Sequence, residues 1–138
     1  MQQSSMDSRD IVLTMDLMQD IPSLKIEKNK LMQVIVNLLK NSCDAIDEHN
    51  DSRSNQIKIS TYHIDDRIGF RISDTGVGVE KERQKNLFDF GISSKGSSGF
   101  GLYYCKSFVT ANNGILIFES KGLGKGATVI MEFFKNRG

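Results

Sequence analysis

Leu31-Met32-Gln33-Val34-Ile35-Val36-Asn37-Leu38-Leu39-Lys40-Asn41-Ser42-Cys43-Asp44-Ala45-Ile46-Asp47-Glu48 is the stretch on which the rest of this chain is organised. At about 100° per residue, Leu31, Val34, Ile35, Leu38, Leu39, Ala45 and Ile46 fall on one broad apolar face of a helix. Asn37, Asn41, Asp44 and Glu48 form a narrow polar stripe beside it. The apolar face asks to be buried, and carboxamides at the border of a core must find partners or carry a cost. Asn37 and Asn41, one turn apart, therefore either bond neighbouring loops or face a ligand. The helix is expected to start near Asn29, a good N-cap, and to fade into the polar run Glu48-His49-Asn50-Asp51-Ser52, with His49 solvated.

On the N-terminal side, residues 1–10 are polar and read as a tail. Ile11 to Leu17 and Leu24 to Glu27 read as two short strands paired ahead of the helix, with Pro22, the one proline, in the loop between them. On the C-terminal side, Ile57 to Tyr62 and Arg67 to Ser73 alternate apolar and polar residues around Asp65-Asp66, the expected hairpin turn. Glu80 to Asn86 is a charged segment with the look of a short helix, and Gly91 to Gly101, glycine- and serine-rich with little to bury, reads as a mobile loop. Leu102, Cys105, Phe108 and Val109 repeat at helical spacing up to the stop Asn112-Asn113-Gly114. Ile115 to Ser120 and Ala127 to Phe134 form a second antiparallel pair. Residues 11–136 thus predict one domain, a two-layer α/β sandwich whose mixed, mainly antiparallel sheet is covered on one face by about three helices.

The 138 residues carry a net charge of +1, which supplies no basic field for nucleic acid and no polybasic block for an anionic membrane. No apolar run approaches the roughly 20 residues of a membrane span, and Met1-Gln2-Gln3-Ser4-Ser5 lacks the segments of a signal peptide. The chain is expected to be soluble, monomeric and cytoplasmic; the cytoplasmic end of a membrane-bound sensor fits as well. Cys43 and Cys105 lack metal-site spacing, and with His49 and His63 they make a poor metal site, so two reduced, partly buried thiols are expected.

Two glycine-bearing segments carry chemistry. Asp74-Thr75-Gly76-Val77-Gly78 puts a carboxylate at a strand end and then removes the Cβ atoms that would keep the backbone from whatever that carboxylate binds. A carboxylate suits an exocyclic amine such as that of adenine, although Asp-x-Gly is also ordinary turn chemistry. Gly96-Ser97-Ser98-Gly99-Phe100-Gly101-Leu102 runs into a helix start, where free amides favour a phosphate, with Ser93, Ser94 and Lys95 as nearby donors. Neither segment has the context of a Rossmann fingerprint, and no Walker-type loop occurs.

Gln33 to Ala45 resembles the N box of sensor histidine kinases. Asp74-Thr75-Gly76-Val77-Gly78 resembles their G1 box, Leu87-Phe88-Asp89-Phe90-Gly91-Ile92-Ser93-Ser94-Lys95 their F box, and Gly99-Phe100-Gly101-Leu102 their G2 box. Gly124-Lys125-Gly126-Ala127-Thr128 is similar to their last glycine motif. All stand in the family's order, over residues 11 to about 135. The resemblance implies the Bergerat ATP-binding fold of the catalytic domain of a bacterial sensor histidine kinase, shared with gyrase-type and mismatch-repair ATPases and a heat-shock chaperone class. ATP and Mg2+ are then the expected ligands.

By position, the resemblance makes Asn41 the magnesium ligand and puts Asn37 beside the phosphates. Asp74 takes the adenine amine while Gly76 and Gly78 line the base. Phe88, Ser93, Ser94, Lys95, Gly99, Phe100 and Gly101 belong to the lid and its phosphate contacts, with Leu102 opening the helix beneath and Thr128 near the adenine. Asn37, Asn41 and Lys95 are the expected catalytic residues. Asp44 stands where many of these kinases place a basic residue near the phosphates, which leaves it among the ATP-site residues in a solvent or magnesium-shell role rather than as a direct phosphate contact, and Gly91 and Ile92 replace aromatic residues of the F box, with Phe90 to compensate.

Position 37 bears on reaction type. In hydrolysing relatives it is a glutamate that polarises water, whereas a carboxamide has no useful basicity. Rapid hydrolysis is not expected, and phosphoryl transfer to an outside nucleophile remains. In the family that nucleophile is a histidine on a separate dimerisation domain, with a response regulator downstream. Nothing ahead of Ile11 reads as that domain, so the chain is expected to be the catalytic fragment of a larger kinase, inactive alone. Two alternatives stay open: a switch protein resembling anti-sigma factors that phosphorylates serine, and a nucleotide-sensing module without phosphotransfer.

Overall fold

The computed structural model describes residues 11–20, 22–49, 55–87 and 101–135. Its elements run β1 (Val12–Asp16), α1 (Lys28–His49), β2 (Gln56–Ile64), β3 (Arg67–Asp74), α2 (Lys81–Gln84), α3 (Gly101–Ala111), β4 (Ile115–Glu119) and β5 (Ala127–Phe134). The five strands form one sheet in the order β1-β2-β3-β5-β4. The β2–β3, β3–β5 and β4–β5 pairings are antiparallel, and β1 lies parallel to β2. The expected mixed, mainly antiparallel sandwich is therefore the fold.

Burial follows the sequence pattern. Val34, Leu38, Cys43 and Ile46 of α1 and Cys105 and Val109 of α3 pack on Ile57, Ile72, Met131 and Phe133 of the sheet to make one core. The helical layer is α1 and α3, packed on each other and on the same sheet face. The third helix is a single turn, α2, with no buried residue. The hairpin turns at Asp65, whose φ of 56° is the left-handed conformation aspartate tolerates. Helix α3 stops as expected, with Asn113 at φ 59° and the Gly114 N–H donating to the Val109 carbonyl at 2.8 Å.

Four expectations are corrected. Leu24 to Glu27 is not a strand; Leu24 and Ile26 instead lay their side chains on the core as the chain enters α1. The helix begins at Lys28 rather than being capped at Asn29: the Glu27 carboxylate accepts the Asn29 N–H at 3.2 Å and the Lys30 N–H at 2.8 Å, satisfying two free donors of the first turn. Strand β1 pairs with β2, so α1 is the crossover that parallel neighbours require. Cys43 and Cys105, expected to be partly buried, are 6% and 0% exposed and unbridged, and burial pushes the Cys105 thiol up to about 12. Among the described residues no helix is long and apolar enough to cross a membrane.

Candidate functional site

The site lies where the end of β3 meets the middle of α1. Asp74 is the last residue of β3, opposite Ile57 on one side and Ala127 on the other. Its Oδ1 accepts the Gly76 N–H at 2.8 Å, and the Ser42 hydroxyl of α1 and the Ala127 N–H also donate to the carboxylate. Burial still dominates and raises its pKa from 3.8 to about 6, the three donors opposing the rise. A carboxylate held this way is a preorganised acceptor with a real desolvation cost.

The loop after Asp74 is fastened to the helix. Val77 donates its N–H to the Ala45 carbonyl at 2.9 Å, and a Cβ at Gly76 would stand 2.6 Å from the Ala45 carbonyl carbon and 2.8 Å from its oxygen. Only glycine lets the strand end approach the helix backbone this closely. On the other side Gly126, at φ 72°, donates to the Gly76 carbonyl at 3.1 Å, and a Cβ there would strike the Asp74 carbonyl. Ser120 completes the frame: its hydroxyl donates to the Gly126 carbonyl at 2.7 Å and accepts the Val79 N–H at 3.1 Å. Gln84 of α2 donates to the carbonyls of Val79, at 2.8 Å, and Ser120, at 3.1 Å. The loops 75–80 and 120–126 are thereby one unit around the carboxylate.

Helix α1 reaches this place through Ser42 and Ala45, and its polar stripe is on the same helix. Asn37 and Asn41 are partly buried. The Asn37 Oδ1 accepts the Gln33 Nε2–H at 3.3 Å, and the Asn41 side chain makes no hydrogen bond to another described residue. The Asp44 Oδ2 lies 3.5 Å from Lys40 Nζ. Gly101 and Leu102 open α3, and Leu102 packs on the core cluster. Phe88, Ser93, Ser94, Lys95, Gly99 and Phe100 lie outside the described residues, as does all of the loop expected from Gly91 to Gly101 except Gly101 itself.

Thr128 of β5 stands one residue along from the strand partner of Asp74. Thr128 bonds Ser73 Oγ through its Oγ1 at 2.9 Å, one register step from Asp74. Side chains alternate along a strand, so this pair is on the face opposite Asp74, and Ala127 takes the place beside the carboxylate. Ser42, Ala45, Ser120 and Gln84 were not anticipated. Ser42, next to Asn41, is the one buried polar side chain of α1 among the described residues, at 6% exposed.

Residues 26–137 match the model of the Histidine kinase-, DNA gyrase B-, and HSP90-like ATPase family. The chain belongs to that family. Among curated relatives of this ATPase domain, the alginate biosynthesis sensor protein KinB of Pseudomonas aeruginosa is 27% identical over 128 residues, covering 91% of this chain and 20% of KinB. The chain thus spans about a fifth of that relative's length. Full-length ShkA, whose crystal structure is a complex with AMPPNP, superposes with a TM-score of 0.79 at 21% identity over 94% of this chain and 27% of ShkA. The catalytic domain of histidine kinase ThkA, in a nucleotide-free form, gives 0.78 at 19% identity over 94% of this chain and 83% of that one. These two likenesses establish the fold, that of a histidine kinase catalytic domain. The family match makes this chain a domain of the histidine kinase-, DNA gyrase B- and HSP90-like ATPase family, and the curated relative named above is a sensor protein.

Proposed function

We propose that residues 11–136 form the catalytic domain that binds Mg-ATP and donates its terminal phosphoryl group to a histidine on a separate dimerisation and phosphoacceptor domain of the same kinase, upstream of a response regulator. The observation that carries this reading is Asp74, a carboxylate fixed by Gly76, Ala127 and Ser42, the last standing next to Asn41 on α1. Ionised, it accepts a hydrogen bond from the adenine amine; against guanine it would meet a carbonyl oxygen. Gly76 lets the strand end that carries Asp74 pack directly on the Ala45 backbone, which fixes the carboxylate against α1. Gly78, whose φ is 73°, keeps the following loop folded against Gly122.

Asn37 and Asn41 face the phosphates. The amide oxygen of Asn41 is a hard neutral ligand of the kind Mg2+ takes, and it is not committed to another described residue. Mg2+ in nucleotide sites is commonly held by one or two protein oxygens together with phosphate and water rather than by an all-protein cage, and Asn41 suits that arrangement. Bound there, Mg2+ supplies charge neutralisation on the phosphates. Asn37 has no basicity with which to activate water, and its amide is oriented by Gln33, so the residue positions and does not hydrolyse. The lid residues Phe88, Ser93, Ser94, Lys95, Gly99 and Phe100 would close on the terminal phosphate, Lys95 as its cation. In the transfer step a ring nitrogen of the acceptor histidine bonds to the terminal phosphorus, the bond to the bridging oxygen breaks, and ADP leaves.

The test is labelling in trans. With γ-radiolabelled ATP and Mg2+ the chain alone should stay unlabelled, and its own kinase's acceptor domain, added as a separate polypeptide, should acquire acid-labile label. Acid-stable label would indicate serine phosphorylation, and a folded acceptor domain that stays unlabelled at high concentration would leave a nucleotide sensor.

A further inference from the structure

Asp44 is an odd residue for a polyphosphate site. It follows Asn41 by three positions, which on a helix places the two Cβ atoms about 5–6 Å apart, so its carboxylate adjoins whatever Asn41 holds. It is not turned to solvent: the side chain is 24% exposed, and among the described residues its Oδ2 is sealed from water and accepts no hydrogen bond. The charged group that meets it among the described residues is Lys40 Nζ at 3.5 Å, one turn earlier and 65% exposed. Taken by helical angle, Lys40, Asp44, Asn37 and Asn41 occupy an arc of about 100°.

We infer that Lys40 is an electrostatic positioning residue for nucleotide binding: by pairing with Asp44 it cancels a carboxylate that would otherwise repel the phosphates. This rests on the ATP-binding reading above. The pair contributes little to stability, as exposed i,i+4 pairs do. Its effect is on the field at the phosphates: a unit charge about 7 Å from a ligand of net charge near −2, screened at about 0.1 M salt, changes affinity by roughly threefold, and by more at low salt. Direct contact of Lys40 with phosphate is the competing arrangement, and a double-mutant cycle separates the two.

Affinities of adenosine and of Mg-ATP are measured by calorimetry for the chain and for Lys40→Gln, Asp44→Asn and the double variant, at low and moderate salt. Adenosine should bind all four proteins alike. Mg-ATP should bind Lys40→Gln about threefold more weakly, Asp44→Asn about threefold more tightly, and the double variant like the parent, with differences that shrink as salt rises. A double variant as weak as Lys40→Gln, an unchanged Lys40→Gln, or an equal loss for adenosine would overturn the inference. Failure of the parent chain to bind either ligand would instead overturn the ATP-binding reading itself.

Discussion

Lowering the pH should loosen adenine binding through one residue. Burial holds the Asp74 carboxyl at about 6 against an ordinary 3.8, in spite of donors from Gly76, Ser42 and Ala127. If only the ionised form accepts the adenine amine, the apparent dissociation constant is the intrinsic one divided by the ionised fraction. That fraction is about 0.99 at pH 8, about one half at pH 6 and about one eleventh at pH 5, so affinity should fall on the order of tenfold between pH 8 and pH 5. Adenosine is the ligand of choice because it has no phosphate to titrate, and calorimetry across that range is the assay. Asp74→Asn should bind weakly with a flat profile. The same shift has a consequence for folding. A pKa raised by the fold means the ionised group opposes it: this contribution to stability is present below pH 3.8 and is lost as pH rises through about 6, to a total of ~3 kcal/mol. Asp74→Asn should therefore melt no lower than the parent at pH 8 while losing nucleotide. An adenosine affinity constant from pH 8 to 5, or a variant that keeps the slope, would refute the reasoning.

Asn41→Ala should weaken ATP binding on the order of tenfold when Mg2+ is present and hardly at all in chelator; equal losses in both conditions, again by calorimetry, would make Asn41 structural. Gly76→Ala must move either the Ala45 turn or the strand end, since its Cβ would stand 2.6 Å from backbone. It should cost about 1–3 kcal/mol in urea unfolding and lower nucleotide affinity, whereas an unchanged midpoint would mean the loop yields freely.

The sheet and both long helices were legible because local pattern and burial agree there: Val34, Leu38 and Ile46 of α1, and Ile57 and Ile72 of the sheet, are buried where periodicity puts them. Leu24 and Ile26 misled because two alternating apolar residues satisfy a strand template equally well when they only cover a core edge. The partner of β1 could not be read, since pairing across a 22-residue helix is decided by tertiary packing. Asp74, Gly76 and the α1 stripe stood out at the site because charge or glycine at a strand end, and amides at a core border, are locally costly. Ser120 and Gln84 did not, because their roles come from bonding to two loops that only the fold brings together.

Adenine recognition by Asp74 at the α1–β3 junction is measured by calorimetric titration of the chain with Mg-ATP and Mg-GTP at pH 8, beside Asp74→Asn. ATP should bind, GTP should bind more weakly by about 1.5–3 kcal/mol, the worth of a charge-assisted hydrogen bond, and the variant should lose the preference. Equal affinities for the two nucleotides in the parent chain would contradict it.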